Sequence, residues 1–494
     1  MKAFRPSSLT LAALTLVGGG LLASCAGMSG APMDAPAAIA RAQEAMGGTT
    51  LKTLKYSGSG TGGIFGQAYR TDLPWPRTTV SMLSRDMDFD NASMRQDMAI
   101  TRAEPNGGGA LPLIGTGEQR SVAMVQGDWA WNMVGPAPAA APVALEGRVH
   151  DLWTSPHGVL KAALKNKVTA ASRTVDGKTY TTLTFTEAGK FEATAYINAD
   201  NMVERVDSRQ PGTVMGDTDS VISYSGYKNY AGTKFPTRIH QTMGGSLVMD
   251  INVTDVQPLG SIPVAVPDLV RQFKENVVST AAGAGVWFLA GGSHNSVLIE
   301  MKDYTVLVET PLYDGRSLAV IAEARRLVPG KPLRYAINSH HHFDHAGGLR
   351  TAAAEGITLI TSANAKPWYD RALANPNRIK PDALAKSGKS ATVEGVNGKR
   401  VLTDGERTIE ISEITDSVHA QGFLMVYLPK EKLLIEADAF TPSAAGAPAP
   451  AVPNGNNLNL VKNIEQNKLA VERILPLHGR MVTMADLMTA VGRK

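Results

Sequence analysis

One cysteine, Cys25, occurs in 494 residues. That excludes a disulfide framework, which needs several thiols. An excess of one charge is lacking as well. Lys and Arg number 49 against 45 Asp and Glu, a net charge of +4, and the basic residues are scattered rather than clustered. No basic stripe of the kind that grips a phosphate backbone stands out, so no nucleic-acid partner is expected. Aromatic residues make up only 6%. No apolar run reaches the ~20 residues that a membrane-spanning helix needs. What is present is a 43% hydrophobic, 19% charged composition, enough to bury sizeable cores. The length exceeds what one core sustains, and two folded domains are expected.

The one long apolar stretch comes first. Lys2 and Arg5 precede Leu9 to Leu22, which is broken by Thr10, Thr15 and three glycines and ends in Leu22-Ala23-Ser24-Cys25. A positive lead, a short apolar segment and small residues before the cysteine mark residues 1–25 as a signal peptide. The end of the segment resembles a bacterial lipobox. That implies export, lipid on the Cys25 thiol and a membrane anchor. Ala26 follows rather than Asp, which by the usual sorting rule favours the outer membrane, with the bulk of the chain in the periplasm or at the cell surface.

Residues 26–50 read as a small-residue linker and one helix, Ala37 to Met46, ended by Gly47-Gly48. From 51 to 264, segments such as TYTTLTFTEA and KFEATAYINA alternate apolar and polar residues, the pattern of antiparallel strands with one buried face. One helical piece, His157 to Asn166, interrupts them. This β-rich domain loosely resembles the half-barrel sheets of periplasmic lipoprotein carriers. Trp75, Trp129, Trp131 and Trp153 are expected to fill its core rather than line a ligand groove. Gly135 to Val143 and Ser443 to Pro453 are dense in proline and are expected to stay out of sheets. A connector, 265–280, contains a short helix around DLVRQFKEN. From 281 to 494 the apolar runs lengthen (GVWFLA, SVLIEM, YTVLVE, FLMVYL, KLLIEA) and helical stretches such as SLAVIAEARRLV lie between some of them. Such runs predict an α/β domain whose sheets are covered on both faces.

Within that domain, Tyr335 to Gly348 reads YAINSHHHFDHAGG. Residues two apart in an extended segment point the same way, so His340 and His342 can converge on one cation. Asp344 and His345 follow where the chain turns and can serve a second. Imidazole with carboxylate suits zinc, while iron and manganese accept the same mixture. Gly347 and Gly348 permit a tight turn into the next helix. His341 alternates to the opposite face and is assigned to packing. Further on, His419 precedes FLMVYL, Asp438 ends KLLIEA, and His478 sits at the strand-to-loop junction of ILPLHGR. His294, in GGSHNS, is expected to be an ordinary hydrogen-bonded histidine.

His340, His342, Asp344, His345, His419, Asp438 and His478, in that order, resemble the full ligand set of the metallo-β-lactamase superfamily. GGSHNSVLIEMKDYTVLVETPL resembles its opening strands, and the resemblance runs from about Ala281 onward. It implies an αββα sandwich, a hydrolase, and two divalent ions, zinc foremost. By the resemblance the first ion takes His340, His342 and His419, the second takes Asp344, His345 and His478, and Asp438 bridges them. Asp344 is then also the catalytic residue that orients the nucleophile or accepts its proton. Glu309 stands where the family usually has an aspartate, a departure affecting support of the ligands and not their number.

With no cysteine ligand and with Asp438 present, the set is nearer to glyoxalase II, lactonases and esterases than to the antibiotic-hydrolysing branch. The stretch from His478 to Lys494 is too short for the helical extension with which glyoxalase II holds glutathione. His419 and His478 are too close in sequence for the insertion of the nuclease branches. A small acyl substrate, whether ester, thioester, lactone or amide, is expected. The alternatives are a β-lactamase, a mononuclear iron persulfide dioxygenase sharing the His-x-His-x-Asp-His frame, and a non-catalytic lipoprotein that binds lipid or protein. The Ala/Pro stretch after Asp438 is a candidate lid.

Overall fold

The alternating segments of the first half pair into one 13-stranded antiparallel sheet. The computed structural model describes residues 33–104, 109, 117–259 and 264–493; residues 1–25, with the lipobox and Cys25, lie outside them. The sheet is two meanders joined back to back. One runs outward from Thr53–Gly63 to Ala137–Ala140, the other from Ser246–Leu259 to Thr169–Val175, and Thr53–Gly63 pairs with Ser246–Leu259 at the centre. Leu54, Leu83, Leu183, Val206 and Ile251 project from one face, against Ile39, Leu152 and Leu160 of the helices Ala35–Ala45, Leu145–Trp153 and Pro156–Lys165. Two of these helices begin as their sequences dictate. Asp34 caps the N–H of Ala37 at 3.2 Å ahead of Pro36, and Ser155 caps Gly158 at 3.2 Å ahead of Pro156.

Three sequence expectations need correction. Helix Leu145–Trp153 was not foreseen: Ala144 supplies no side-chain cap, and the apolar residues crowd into the last turns. Ala137–Ala140 is a strand despite its proline. It lies at the sheet edge, where the missing N–H of Pro138 breaks no ladder. The connector helix is a single turn, Asp268–Arg271. Of the four tryptophans, Trp75, Trp131 and Trp153 are buried, while Trp129 is 39% exposed.

His157 lies buried in this domain, its Nε2 3.0 Å from the carbonyl of Lys234 and its Nδ1 without a partner. Burial lowers its pKa from the ordinary 6.5 to about 4. Below pH 6.5 the unfolded chain therefore takes up this proton first, and stability falls as pH drops from 6.5 to about 4. The expected loss from this one site is about 3 kcal/mol. Thermal melts across that window check it: His157→Gln should flatten the acid limb, and an unchanged slope would remove His157 as its source.

The second half folds as two sheets face to face, seven strands from Val278–Gly283 to Val393–Val396 and six from Lys399–Thr403 to Val482–Thr483. Alternation sorts the side chains. Val297 and Ile299 enter the core between the sheets with Ile411 and Val426, while Leu298 and Leu307 face outward against Val320 and Ile321 of helix Asp314–Leu327. Helices Gly455–Gln466 and Met484–Ala490 pack through Leu460 and Leu487. The domain is thus the expected αββα sandwich. Among the described residues no helix is long and apolar enough to cross a membrane.

Among the described residues the two domains meet at several places, including an ion pair between Lys380 and Glu146. Asn375 and Asn377 bond the backbone around Gly212–Asp217, and the loop after Thr53–Gly63 reaches the strand ends of the sandwich.

Candidate metal centre

The chemistry-bearing residues sit in the loops at strand ends. Leu333–Ile337 leads into His340, His341 and His342, and the short helix Phe343–Ala346 turns Asp344 and His345 back toward them. Leu433–Glu436 and Arg473–Pro476 are parallel neighbours with Glu436 opposite Pro476, so Asp438 and His478 emerge side by side. His419 is held in its loop by Ser417, whose Oγ accepts from the His419 N–H at 3.2 Å. Asn295 bonds the carbonyls of Pro476 and Gly479, at 3.1 and 2.8 Å, on either side of His478. Gly347 and Gly348 do not serve a left-handed turn. Gly348 has a negative φ, and a Cβ on it would lie 1.7 Å from Ser317 Oγ, so close packing requires the glycine.

The structure brings all seven candidates together. His340, His342 and His419 form one group that can hold an ion, Asp344, His345, His478 and His294 a second, and His340, His345 and Asp438 a third between them. His340 Nε2 lies 2.9 Å from His342 Nδ1 and 3.1 Å from His419 Nε2, and His478 Nε2 lies 3.0 Å from His345 Nε2. Asp438 Oδ2 is 2.8 Å from His345 Nε2, 3.4 Å from His340 Nε2 and 3.5 Å from His419 Nε2, while Oδ1 is 3.3 Å from His478 Nε2. Burial, with the neighbouring imidazoles, pushes His340 and His342 well below the ordinary histidine range, leaving lone pairs to offer. Burial alone would raise Asp438, but the facing histidines hold it well below the carboxylate range. Burial would likewise lower His345, yet Asp438 and Asp344 raise it well above. The cluster thus combines neutral imidazoles with carboxylates that demand positive charge, a donor set compatible with divalent metal.

The tautomers are fixed from behind. Glu309 is fully buried at φ +73°, a strained backbone position. Its Oε2 accepts from His345 Nδ1 at 2.9 Å and from Ser339 Oγ at 2.5 Å. Ser339 Oγ, having donated its proton, can accept from His340 Nδ1 at 3.0 Å. One carboxylate therefore turns the Nε2 atoms of His345 and His340 toward the centre, in two different groups. His342 is set by the other domain: its Nε2 donates to the Ala68 carbonyl at 2.9 Å, as does His341 Nε2 at 2.8 Å, leaving His342 Nδ1 facing inward.

Sequence reasoning missed this contribution of the first domain and underrated His294. Gln67 Nε2 donates to Asp344 Oδ1 at 2.8 Å. His294 Nε2 lies 3.1 Å from Asp344 Oδ2, and its ring centroid is 4.2 Å from that of His478. Gly66 is at φ +69°, where a Cβ would fall 2.3 Å from Phe343 Cγ. The same loop is tied to the sandwich by the Gln421 N–H on the Tyr69 carbonyl at 2.8 Å. The proline-dense 443–453 segment leaves the Asp438 strand end and stays on the surface.

The sandwich and its His/Asp groups define a metallo-β-lactamase-fold domain: residues 289–478 match the family model described as the metallo-beta-lactamase superfamily, and the C-terminal domain belongs to it. Among solved structures it is similar to the metallo-beta-lactamase from Pontibacter korlensis, at 16% identity over 44% of this chain and 98% of that one, with a TM-score of 0.34. FIM-1 from Pseudomonas aeruginosa, in the mono-zinc form, is 19% identical over 44% and 94%, TM-score 0.33. Rubredoxin oxygen:oxidoreductase from Desulfovibrio gigas is 19% identical over 44% and 61%, TM-score 0.33. No curated protein matches the chain.

Proposed function

We propose that the chain is a hydrolase with a dinuclear zinc centre that cleaves an ester, thioester, lactone or amide. The observation that carries this is Asp438. Its Oδ2 is buried and has no aligned hydrogen-bond donor, although it lies within 3.5 Å of the Nε2 atoms of His340, His345 and His419. A buried carboxylate oxygen left in that state, facing imidazoles from both groups, fits a bridging ligand. His340, His342 and His419 would hold one ion, Asp344, His345 and His478 the other, and Asp438 both. When bound, such a pair supplies a water of pKa about 7 and polarises the acyl carbonyl.

The chain's own residues do the rest. Gln67 holds Asp344 Oδ1, and His294 steadies Oδ2, the atom placed to accept the proton of the attacking water. The side chains of His340, His342 and His345 are closed off from solvent, whereas Asp344 is 32% and Asp438 21% exposed. The substrate therefore approaches over Asp344 and His478, and the buried histidines keep bulk water from the rest of the centre.

Metal analysis of the purified chain, with a panel of thioesters, lactones, aryl esters and a chromogenic cephalosporin, tests the proposal. Two zinc ions per chain are expected, with acyl cleavage that a chelator abolishes and zinc restores. A single iron with persulfide oxidation, or two metals with no acyl turnover, would each sink it, and cleavage of the cephalosporin alone would replace the ester, thioester and lactone readings with a β-lactamase.

A further inference from the structure

Away from the metal centre, the first domain contains a cavity of about 330 Å³ between the sheet and helix Leu145–Trp153. Protein cores are close-packed and rarely leave such space, and its volume is that of a small-molecule site. Its wall is built from alternate residues of adjacent strands. Met94, Met98 and Ile100 come from one strand, Val80 and Leu83 from the next, and Met249 from the central one. Methionines make the wall adaptable to a flexible apolar chain. If a methylene fills about the ~30 Å³ of a liquid water, the space holds an alkyl chain of about ten carbons.

A polar row crosses the cavity: Arg85 stands opposite Gln96, with Met94 on one side of that pair and Met98 and Ile100 on the other. Arg85 is satisfied there: its Nη2 bonds Asp151 Oδ2 and its Nε bonds Gln96 Oε1, both at 2.7 Å. Arg148 is not. Its guanidinium bonds the carbonyls of Met124 and Trp131, at 2.9 and 2.8 Å, and the Asn132 side-chain oxygen, all neutral acceptors. Among the described residues no carboxylate lies within ion-pair distance of it. Burial lowers its pKa to about 10, offset in part by Asp151, the carboxylate that Arg85 already pairs. Guanidinium is the side chain best matched to a carboxylate.

We propose that this cavity binds a medium-chain fatty acid, with the alkyl chain along Met98, Ile100, Val80 and Leu83 and the carboxylate on Arg148. Two further lining residues, Ile64 and Phe65, sit at one rim, and the chain passes from them within three residues to Gln67 and Ala68 at the metal centre. The site goes beyond the acyl-hydrolase proposal and stands without it, since no metal ligand lines the cavity.

Titration calorimetry of the full chain with dodecanoate, below its micelle concentration, tests this. One dodecanoate per chain is expected, bound equally with and without metal. Dodecyltrimethylammonium, of the same length and opposite charge, should bind at least about ten-fold more weakly, the scale of a lost charge-assisted hydrogen bond. Arg148→Met, which keeps the stem and removes the charge, should weaken dodecanoate by a similar factor, and Ala123→Phe, which fills the cavity, should abolish binding. If Arg148→Met fails to fold, the cationic amphiphile and Ala123→Phe decide. Absence of saturable binding, equal binding of the cation, or binding undiminished by Ala123→Phe overturns the proposal. Because the assay needs no turnover, its failure is distinct from failure of the hydrolase proposal.

Discussion

Asp344→Asn is expected to lower kcat by about 10²- to 10⁴-fold, the usual range for loss of a proton-transferring group. The substitution changes almost no volume but removes the charge and makes one carboxylate oxygen an N–H donor. Oδ1 now accepts from Gln67 Nε2 and Oδ2 faces His294 Nε2, so the amide can keep one partnership only by setting two hydrogen atoms against each other in the other, or by forcing the His294 ring to its other tautomer. The proton acceptor is lost either way. The melting temperature should barely move, because Asp344 is part-exposed and belongs to the centre rather than the core. Steady-state kinetics and a thermal melt on the same sample check both halves. A variant turning over at the parental rate would take Asp344 out of the mechanism.

Glu309→Gln should act on metal rather than on the proton. The carboxylate now receives the Asn338 side chain at 2.9 Å, the Ser339 N–H at 3.3 Å, the Ser339 hydroxyl and His345 Nδ1. Every one of these partners is a donor, and glutamine replaces one acceptor with another donor in a fully buried space. If the amide nitrogen faces His345, the imidazole moves its proton to Nε2, the atom beside Asp438. If it faces Asn338, Ser339 loses its backbone partner as well. Metal affinity is expected to fall about 10- to 100-fold, and stability by about 1–3 kcal/mol for the unmatched buried groups. Competition with a chromophoric chelator reads the first and denaturant unfolding of the metal-free chain the second. Affinity unchanged in a destabilised variant would show that Glu309 serves the fold alone.

The candidate centre was legible in the sequence because its residues are chemically rare and each borders an apolar run. His340 to His345, His419, Asp438 and His478 follow from that conjunction, and the sandwich from the lengthened runs around them. What stayed hidden left no trace in residue type. The acceptor for His341 and His342 is a main-chain carbonyl, which any residue at position 68 would supply. Gln67 is 277 residues from Asp344, and nothing in its neighbourhood of small and apolar residues announces a contact. His294 did leave a signal: a histidine between Gly-Gly and an apolar strand stands at a strand start, the same end of the sheet as the other ligands. Proline misled at Pro138 because the rule against it in sheets concerns interior strands, and position in the sheet is not written locally.

The loop that carries Gln67 and Ala68 hangs from Thr53–Gly63, whose central partner Ser246–Leu259 arrives almost two hundred residues later. The strand pairing beneath this loop closes entirely within the first domain. The loop itself does not: the Phe343 N–H bonds the Gly66 carbonyl and the Gln421 N–H bonds that of Tyr69. The Ala68 carbonyl that orients His341 and His342 is therefore set only once both domains have docked, and the geometry of the centre belongs to neither half alone.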